Sequence, residues 1–402
     1  MKIVKDPVHG YVEIEEALLP LLDSPEVQRL RYIRQLGFSY LVYPGANHSR
    51  FEHSLGAMHL AGIVCRQVGL PDQERLTVTA AALLHDIGHG PFSHASEPLM
   101  EEILGHGHAE IGKILEGNGL AALLGEAGIE PKEVAALVRG DHPLAGIIHG
   151  SLDVDRMDYL LRDAHYTGAP YGTVDAQRLI RHILLAEEGI VVDENGVNAA
   201  ESLLIARTLM RSAVYYHHVS RIAHSMFVLA ALAHMGMKPG PEFSSFLKDD
   251  DSGCLYALLR SRDPCTRGLT GRLYHRRLFK RALYVGKEQV NVASYESRRS
   301  LSSIRALSEE IAGRAGIDPA GVLVDIPRLP GAMEIGVQVR SRHAVVGLGE
   351  VSPLVTTLNE TRREQWRLGV YTMLECRDQV AAAAMEVLHV RRPTLQDRLT
   401  LQ

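Results

Sequence analysis

Apolar residues recur at helical spacing through much of the first half of the chain. The pattern is clearest in the segments 25–36, 53–69, 75–86 and 201–233. Apolar positions three and four residues apart lie on one face of an α-helix, so each segment predicts a helix with a buried face. The last segment is long enough to form two helices. Residues from about 15 to 235 are therefore predicted to be mainly α-helical.

Two other parts of the chain show a different pattern. A β-hairpin is predicted at 188–199, where the turn sequence DENG separates short apolar runs. Near 237–252, proline, glycine and an acidic run indicate a domain boundary or a surface excursion. Beyond it, GVLVDIP, EIGVQVRS and LGVYTMLE resemble strands, while 293–313 and 377–389 resemble helices. The predicted fold is mainly α, with a helical core over 1–239 and a smaller α+β region over 240–402.

Composition narrows the classes of protein to consider. The 402 residues carry a net charge of −5, so a long basic surface that neutralises a nucleic-acid backbone is not expected. The four cysteines are widely spaced, so a zinc ribbon or a disulfide framework is not expected. No apolar leader and no uncharged apolar stretch of ~18 residues is found, so we expect a soluble, cytoplasmic protein.

Histidines are concentrated in one stretch, with five of the twenty between His85 and His108. In AALLHDIGHGPFSH, adjacent His85 and Asp86 end an apolar helix, and two glycines let the chain turn there. Imidazole and carboxylate ligands together suit a divalent iron, manganese, nickel, cobalt or zinc ion. Two further ligands are needed, and His53 in RFEHSLG and Asp155 in SLDVDRMDYLLRD are the candidates. An HD dipeptide by itself also occurs by chance in many proteins.

Three motifs in this order, RFEHSLG, LLHDIGHGPFSH and DVDRMDYLLRD, resemble the HD-domain superfamily and its deoxynucleoside triphosphate triphosphohydrolase branch. The resemblance runs from residue 1 to about His218 and continues more weakly to about residue 290. It implies an HD-domain helical core and one divalent metal ion held by His53, His85, Asp86 and Asp155. It also implies hydrolysis of a deoxynucleoside triphosphate to deoxynucleoside and triphosphate, with magnesium on the substrate phosphates.

The resemblance implies an acid–base group beside the metal, formed by His89, His94, Glu97 and His108. Imidazoles with a pKa near 6.5 can donate or accept a proton near neutrality. Glu97 stands three residues after His94, within reach of it or of His108, and relatives often have aspartate at this position. Helix capping and loop hydrogen bonding are the alternatives for His89 and His94.

Substrate contacts are expected from two helical stripes and from Arg50. Arg207, Arg211 and Tyr215 stand four residues apart, so the two cations would face the polyphosphate unless they form a solvated face. Asp155, Tyr159 and Asp163 form a second stripe with the same spacing. The resemblance places Gln35 and Asp163 at the sugar 3′-hydroxyl and Tyr215 at the 2′ position. Arg156 replaces a lysine of some relatives, and the resemblance implies that it contacts a substrate phosphate.

The N-terminal stretches KIVKDPVHG and DSPEVQRLRYIRQLG resemble relatives that guanine nucleotides activate and that assemble as tetramers. The matching positions here are Lys2, Asp23, Gln28 and Arg31, so the resemblance implies an allosteric nucleotide site and a homo-oligomer, dimer or tetramer. Asp23 and Ser24 before Pro25 also fit an ordinary helix start with a side-chain cap.

Two other functions stay open at this point. The same metal ligands serve nucleotidases and phosphodiesterases, so another phosphoester is the first alternative substrate. A nucleotide- or nucleic-acid-binding protein with a structural metal is the second. Acid–base histidines beside the ligands argue against a structural site, because such a site needs none.

Overall fold

The computed structural model describes residues 2–117, 119–187, 189–236, 240, 243–332, 337–341 and 344–391. The fold is mainly α-helical with small sheets, as predicted. The strands are β1 (Lys2–Asp6), β2 (Gly10–Ile14), β3 (Ile183–Ala186), β4 (Gly189–Asp193), β5 (Lys280–Gly286), β6 (Val322–Asp325), β7 (Gln338–Arg340), β8 (Val345–Gly347) and β9 (Arg367–Thr372).

The helices alternate with 3-10 turns along the described chain. In order they are α1 (Leu19–Leu22), α2 (Pro25–Arg29), α3 (Arg50–Gln67), α4 (Asp72–Leu84), α5 (Glu97–Leu104), α6 (Gly112–Glu116), α7 (Leu120–Glu126), α8 (Pro131–Arg139), α9 (Val154–Thr167), α10 (Ala176–Arg181), α11 (Val197–Met210), α12 (His218–His234), α13 (Ser244–Leu247), α14 (Asp251–Leu259), α15 (Pro264–Tyr274), α16 (Val292–Glu296), α17 (Leu301–Ala315), α18 (Leu348–Val351), α19 (Pro353–Glu364) and α20 (Arg377–Val387).

The chain forms two compact units. The first contains residues 1–215, 245–254 and 332–358, and the second contains 216–244, 255–331 and 359–402. The domain boundary between 239 and 240 remains a prediction. Each compact unit contains three separate stretches of the chain, so no single position divides the two units.

The first unit is built on α3, α4 and α9, which pack against one another around a large apolar core. Helix α3 starts with a capping box, in which the Ser49 N–H donates to Glu52 Oε2 at 2.6 Å. Helix α9 starts at Asp153, whose Oδ1 accepts the Arg156 N–H at 2.7 Å. Local caps thus fix where the two helices that carry His53 and Asp155 begin.

Two small sheets belong to the first unit. Strands β1 and β2 form an antiparallel hairpin, and the other sheet has the order β3-β4-β7-β8, in which β4 and β7 are parallel. The predicted hairpin at 188–199 was wrong in its pairing, since β4 pairs with the preceding β3. The DENG sequence instead forms a 3-10 turn, because Asp193 Oδ1 accepts the N–H groups of Asn195 and Gly196.

The second unit has an antiparallel sheet of order β5-β9-β6, with α17 and α20 packed on its apolar core. The predicted strands GVLVDIP and LGVYTMLE correspond to β6 and β9, and the predicted helix 377–389 contains α20. The predicted helix 293–313 is divided between α16 and α17. EIGVQVRS lies partly outside the described residues, and its described part contains β7, which belongs to the first unit.

Two further predicted helical segments, in the first part of the chain, are also divided. In 25–36, α2 ends at Arg29 and a 3-10 turn follows. In 201–233, α11 is followed by a π-helical turn, Arg211–Tyr215, before α12 begins at His218. A π-turn adds a residue to the helical turn, so side chains beyond it leave the regular four-residue spacing.

The segment predicted at 237–252 lies partly outside the described residues. Its described part contains α13 and the start of α14, and residues 245–254 pack in the first unit. Asp251 is only 2% exposed there, so this part of the acidic run is not a surface excursion.

Candidate functional site

Three elements bring the four predicted metal ligands together. His53 lies in the first turns of α3, His85 and Asp86 follow the last turn of α4, and Asp155 lies in the first turn of α9. His53 Nε2 is 2.9 Å from Asp155 Oδ1 and 3.8 Å from Asp86 Oδ2. His85 Nε2 is 3.3 Å from Asp86 Oδ1 and 3.7 Å from Asp155 Oδ1. Ligand atoms of His53, His85 and Asp86 therefore lie within 4.8 Å of one another, and Asp155 Oδ1 adjoins both imidazole nitrogens.

The donor atoms fit a divalent metal ion. The Nε2 atoms of His53 and His85 are buried and form no hydrogen bond of normal geometry within the described chain. Their Nδ1 atoms are engaged, since that of His53 lies 2.7 Å from Asp158 Oδ2 and that of His85 lies 2.8 Å from Ala82 O. A buried nitrogen without a partner is costly, and a metal ion coordinated by nitrogen and carboxylate oxygen removes that cost.

The electrostatics of this cluster favour ionised carboxylates. Burial alone would raise the pKa of Asp155, but the close approach and charge of His53 and His85 hold it well below its usual range. Burial would lower the pKa of His53, yet Asp155 and Asp158 raise it to about 10. The protein thus concentrates negative charge around the two imidazoles, and a cation is the natural counterion.

Arg50 is buried beside the metal candidates. Its Nη1 donates to Asp86 Oδ2 at 2.5 Å and its Nε to Ser93 Oγ at 2.7 Å, while Nη2 is buried without a hydrogen bond in the described structure. The predicted phosphate contact of Arg50 remains a prediction. The structure adds a second contact, because the guanidinium also fixes one oxygen of Asp86.

The loop after the HD pair is shaped differently from the prediction. Phe92 and Ser93 have φ of 57° and 56°, in the left-handed region, whereas Gly88 does not have a positive φ. Gly88 is required for close approach instead, since a Cβ there would lie 2.1 Å from His108 O. The strained residues are held by Asp251, whose Oδ1 accepts the Phe92 N–H at 2.6 Å.

The four predicted acid–base residues form one cluster. The rings of His89 and His108 stack at 3.8 Å between centroids, and His94 lies edge-on to both. Glu97 pairs with His108, with both carboxylate oxygens 2.9 Å from Nδ1. His89 Nε2 is 3.3 Å from Asp86 Oδ1, so this cluster adjoins the metal candidates.

Protonation of two of these histidines is disfavoured. Desolvation, followed by the charge of Arg50, lowers the pKa of the buried His89 and of the more exposed His94. Burial would raise the pKa of Glu97, but hydrogen bonding and charge from His108 lower it. Near neutral pH the cluster therefore contains neutral His89 and His94 and an ionised Glu97.

A second group of residues lies along α9 beyond Asp155. The Tyr215 hydroxyl donates to Asp163 Oδ2 at 2.8 Å, and His48 Nε2 lies 2.8 Å from Asp163 Oδ1. Tyr159 lies edge-on to Tyr215 and to His53. The Gln35 N–H donates to the His48 carbonyl, and Gln35 Oε1 is buried without a hydrogen bond.

The predicted stripe of Arg207, Arg211 and Tyr215 is regular only in its first part. The Arg211 N–H donates to the Arg207 carbonyl, as in an α-helix, whereas Tyr215 ends a π-turn and leaves the four-residue spacing. Burial lowers the pKa of Arg207, and Arg156 and Arg211 contribute to the lowering. Arg156 contacts the Gly150 carbonyl and Asp153 Oδ2. Their phosphate contacts remain predictions.

The four residues of the predicted allosteric site lie near the N-terminus. Arg31 Nε donates to Gln28 Oε1 at 2.8 Å, and its guanidinium lies 3.5 Å from the centre of the Phe51 ring. Lys2 begins β1, and Asp23 follows α1 on the surface. Neither Asp23 nor Ser24 caps α2 through its side chain, although Pro25 does occupy the first helical position.

Sequence reasoning missed three residues that hold the site in place. Asp158 contacts His53, His48 contacts Asp163, and Asp251 contacts the loop after the HD pair. Asp158 could have been noticed, because it stands three residues after Asp155 and four before Arg162 on one helical face. Asp251 was hidden in a run of three acids.

Comparison with known proteins agrees with the geometry. The family model of the HD domain matches residues 50–163, and that of the HD-associated region matches residues 174–399, more than half of the chain. An uncharacterized protein of Methanocaldococcus jannaschii is 34% identical over 386 residues, covering 93% of this chain and 80% of that protein.

Other relatives include enzymes. Deoxynucleoside triphosphate triphosphohydrolase SAMHD1 of Homo sapiens is 30% identical over 278 residues, which cover 58% of this chain and 44% of that protein. A crystal structure of a phosphohydrolase from Bacteroides thetaiotaomicron is 26% identical, has a TM-score of 0.74, and covers 93% of this chain and 100% of that chain. A hypothetical protein from Aquifex aeolicus is 29% identical with a TM-score of 0.77, covering 95% and 99%.

Within the described residues, no helix combines the length and apolar character needed to cross a membrane. The metal donor set, the adjoining histidine cluster and the family matches agree on one assignment. The chain belongs to the HD-domain phosphohydrolase family and carries its HD-associated region.

Proposed function

We propose that the protein hydrolyses deoxynucleoside triphosphates to deoxynucleoside and triphosphate. The observation that carries this proposal is the hydrogen bond between the Tyr215 hydroxyl and Asp163, two helical turns along α9 from Asp155. A carboxylate and a phenol at this place suit a sugar hydroxyl, while the metal candidates suit a phosphate. The SAMHD1 relatives named above support the same substrate class.

The residues that would hold the divalent metal ion are His53, His85, Asp86 and Asp155. Such an ion polarises a phosphoryl oxygen and lowers the pKa of a coordinated water. In the proposed reaction, water forms a new bond to the α-phosphorus and the bond to the sugar 5′-oxygen breaks. The leaving oxygen takes up one proton, and the triphosphate leaves intact.

The side chains of this chain supply the other steps. Neutral His94 and the Glu97–His108 pair adjoin the metal ligands, so they can accept a proton from the attacking water and return one to the leaving oxygen. Arg50, Arg207 and Arg211 balance the charge of the polyphosphate. Magnesium would accompany the substrate phosphates.

The sugar end of the proposed site would select deoxyribose. The Tyr215 ring is held by Asp163 on one side and by Tyr159 on another. A 2′-hydroxyl placed against this fixed ring has no partner there and meets a steric conflict. Gln35, with its unpaired buried Oε1, and Asp163 would bind the 3′-hydroxyl.

Product analysis tests the proposal directly. Purified protein is incubated with each dNTP and NTP, with Mn²⁺ or Mg²⁺, and the products are separated by ion-exchange chromatography. We expect deoxynucleoside and triphosphate from dNTPs and little turnover of NTPs. Tyr215→Phe should narrow the preference for dNTPs over NTPs while keeping the metal, because only the bond to Asp163 is lost. Orthophosphate or pyrophosphate as the product would refute the reaction.

The same incubation with and without GTP tests activation by a guanine nucleotide at Lys2, Asp23, Gln28 and Arg31. The Arg31 guanidinium is already ordered by Gln28 and Phe51, and can pair with phosphate. We expect GTP to increase turnover and to shift the protein toward a dimer or tetramer in light scattering. Arg31→Ala should remove the GTP response and keep the metal content.

A second candidate function is hydrolysis of another phosphoester with two metal ions. It is favoured by the acid–base cluster itself, since ligand atoms of His89, His94, Glu97 and His108 lie within 4.8 Å of one another and could hold an ion. Two ions side by side are typical of phosphatases and nucleases. One metal per chain, with triphosphate released, would exclude this candidate. Two metals per chain, with orthophosphate released, would support it.

A further inference from the structure

Asp158 is a fully buried carboxylate between His53 and the N-terminal hairpin. Its side chain is 0% exposed. Its Oδ2 is 2.7 Å from His53 Nδ1 and accepts Arg162 Nε at 2.9 Å. Its Oδ1 is 2.6 Å from His9 Nε2 and accepts Arg162 Nη2 at 2.9 Å. Both oxygens are thus fully used, and the carboxylate cannot rotate without breaking several hydrogen bonds.

The contacts of Asp158 fix the orientation of His53. Arg162 donates from Nε and Nη2 to the two carboxylate oxygens, and both side chains are buried. A carboxylate paired with a guanidinium accepts hydrogen bonds, so His53 donates to it from Nδ1. The ring then presents Nε2 to the oxygens of Asp155 and Asp86.

Asp6 and His9 connect the Asp158 carboxylate to the hairpin of β1 and β2. Asp6 Oδ1 accepts the Val8 and His9 N–H groups at 2.9 and 2.8 Å, which shapes the turn that carries His9. Asp6 Oδ2 accepts Arg162 Nη1 at 2.8 Å, with both side chains buried. The turn is therefore held to α9 at two points, by Asp6 and by His9.

Helix α3 is adapted to this arrangement. A Cβ at Gly56 would lie 1.8 Å from Asp158 Oδ1 and 2.5 Å from Arg162 Nη2. Only glycine lets α3 approach the carboxylate so closely. The approach also places His53, which lies three residues earlier on α3, against the same carboxylate.

We propose that Asp158 and His9 are positioning residues for the metal site, and that the turn of the N-terminal hairpin sets the orientation of His53 through them. Carboxylates that accept the second nitrogen of a ligating histidine are a general means of tuning metal affinity. Here the carboxylate is itself held by a histidine from a separate hairpin. A shift of that hairpin would therefore change how tightly the protein holds its metal.

The test compares variants of His9 in the full-length protein. His9→Ala removes the hydrogen bond to Asp158, whereas His9→Gln keeps a donor at a similar position. His59→Ala is the matched control, since its ring lies 5.6 Å from that of His9 and no hydrogen bond joins it to Asp158. Mn²⁺ affinity is measured by equilibrium dialysis against a chelator, with the metal counted by mass spectrometry. Urea unfolding in chelator reports the stability of the metal-free protein.

We expect His9→Ala to weaken Mn²⁺ binding by about tenfold or more. About tenfold is the lower end of the loss in metal affinity that is typical when a residue supporting a metal ligand is changed. His9→Gln and His59→Ala should stay within about twofold of the unsubstituted protein. Asp158→Asn should lose more Mn²⁺ affinity than His9→Ala. The amide can donate to His53 Nδ1, and this favours the His53 tautomer that carries its proton on Nε2. The proposal fails if His9→Ala binds Mn²⁺ normally, or if His9→Gln loses as much affinity as His9→Ala.

This inference concerns metal retention and does not rest on the identity of the substrate. A protein that shows the expected His9 series but releases no triphosphate from dNTPs would refute the proposed reaction and leave the positioning role intact. A protein that binds no Mn²⁺ at all would refute the positioning role.

Discussion

The two units each bury a polar cluster, and the clusters differ in how well their members are paired. In the second unit, Arg221 binds Asp325 through two nitrogens, and the Tyr371 hydroxyl donates to the same carboxylate. In the first unit, His53 and His85 face two carboxylates with Nε2 atoms that form no hydrogen bond within the described chain. The polar groups of the second unit's cluster are paired with one another, whereas the imidazole nitrogens of the first unit's cluster have the chemistry of metal ligands.

The difference separates a structural cluster from a functional one. A buried ion pair with additional hydrogen bonds joins β6, β9 and α12 and needs nothing more. Buried imidazole nitrogens without a hydrogen bond cost stability, and coordination to a metal ion would remove that cost. Imidazole nitrogens that face carboxylates without a normal hydrogen bond therefore distinguish the candidate site from the paired cluster.

The largest expected effect comes from removing a predicted ligand in the cluster of the first unit. Asp155→Ala should abolish turnover and metal retention, a larger loss than the roughly 10–100-fold change typical of outer-shell residues. The helical fold should persist, because Asp155 caps no helix and only completes the donor set. Metal analysis, activity and circular dichroism measure the three properties. Normal turnover would refute the metal assignment.

Breaking the Arg221–Asp325 cluster should lower the stability of the protein and leave its metal binding unchanged. Arg221→Met leaves Asp325 buried without its cation, which should cost about 3–5 kcal/mol of stability. Mn²⁺ binding per folded chain should not change, since the metal candidates lie in the other unit. The double variant Arg221→Met/Asp325→Leu should recover most of the loss in urea unfolding. A loss of Mn²⁺ affinity in either variant would contradict the separation.

Removal of the metal should affect the first unit alone. A ligand at about 100 times its dissociation constant contributes about 2.7 kcal/mol to the folded state. Chelation should therefore increase hydrogen exchange in α3 and α9, and leave β5, β6 and β9 protected as before. Equal increases in both units would show that the metal does not act on the HD site.

The decrease of turnover at acidic pH tests the protonation state of His94 in the first unit. Desolvation and Arg50 lower the pKa of His94, so its neutral form persists as the pH falls below the usual value of 6.5. Turnover that needs neutral His94 should stay constant through pH 6.5 and fall tenfold per unit only at lower pH. Profiles of kcat/KM measured with Mn²⁺-saturated protein report this decrease. A midpoint of this decrease at or above pH 6.5 would contradict the prediction that His94 is neutral.

The smallest effect is expected at an exposed ion pair outside both clusters. Arg305 Nε lies 2.7 Å from Glu309 Oε1, and the two side chains are 41% and 48% exposed. Arg305→Ala should change stability by only about 0.2–1 kcal/mol, because water screens this pair. Metal content and turnover should equal those of the unsubstituted protein. This variant is the baseline for the four larger effects.

Local patterns allowed much of the fold to be predicted. Helices α3 and α4 follow from apolar periodicity, and β6 and β9 from short apolar runs between turn residues. The predicted hairpin was wrong where local polar contacts outweigh the pattern, since Asp193 closes a 3-10 turn in place of a hairpin loop. The segment 201–233 forms two helices, as its length allowed, and a π-turn after Met210 separates them.

The sequence by itself determined the helical class, the HD-domain family and the four candidate metal ligands, because each of these lies in a short motif or a local period. The tertiary structure alone decided which distant residues support the candidate site. Asp158 meets His9 across 149 positions of sequence, and Asp251 meets Phe92 across 159. Such contacts leave no local pattern, since they form only when separate elements pack together.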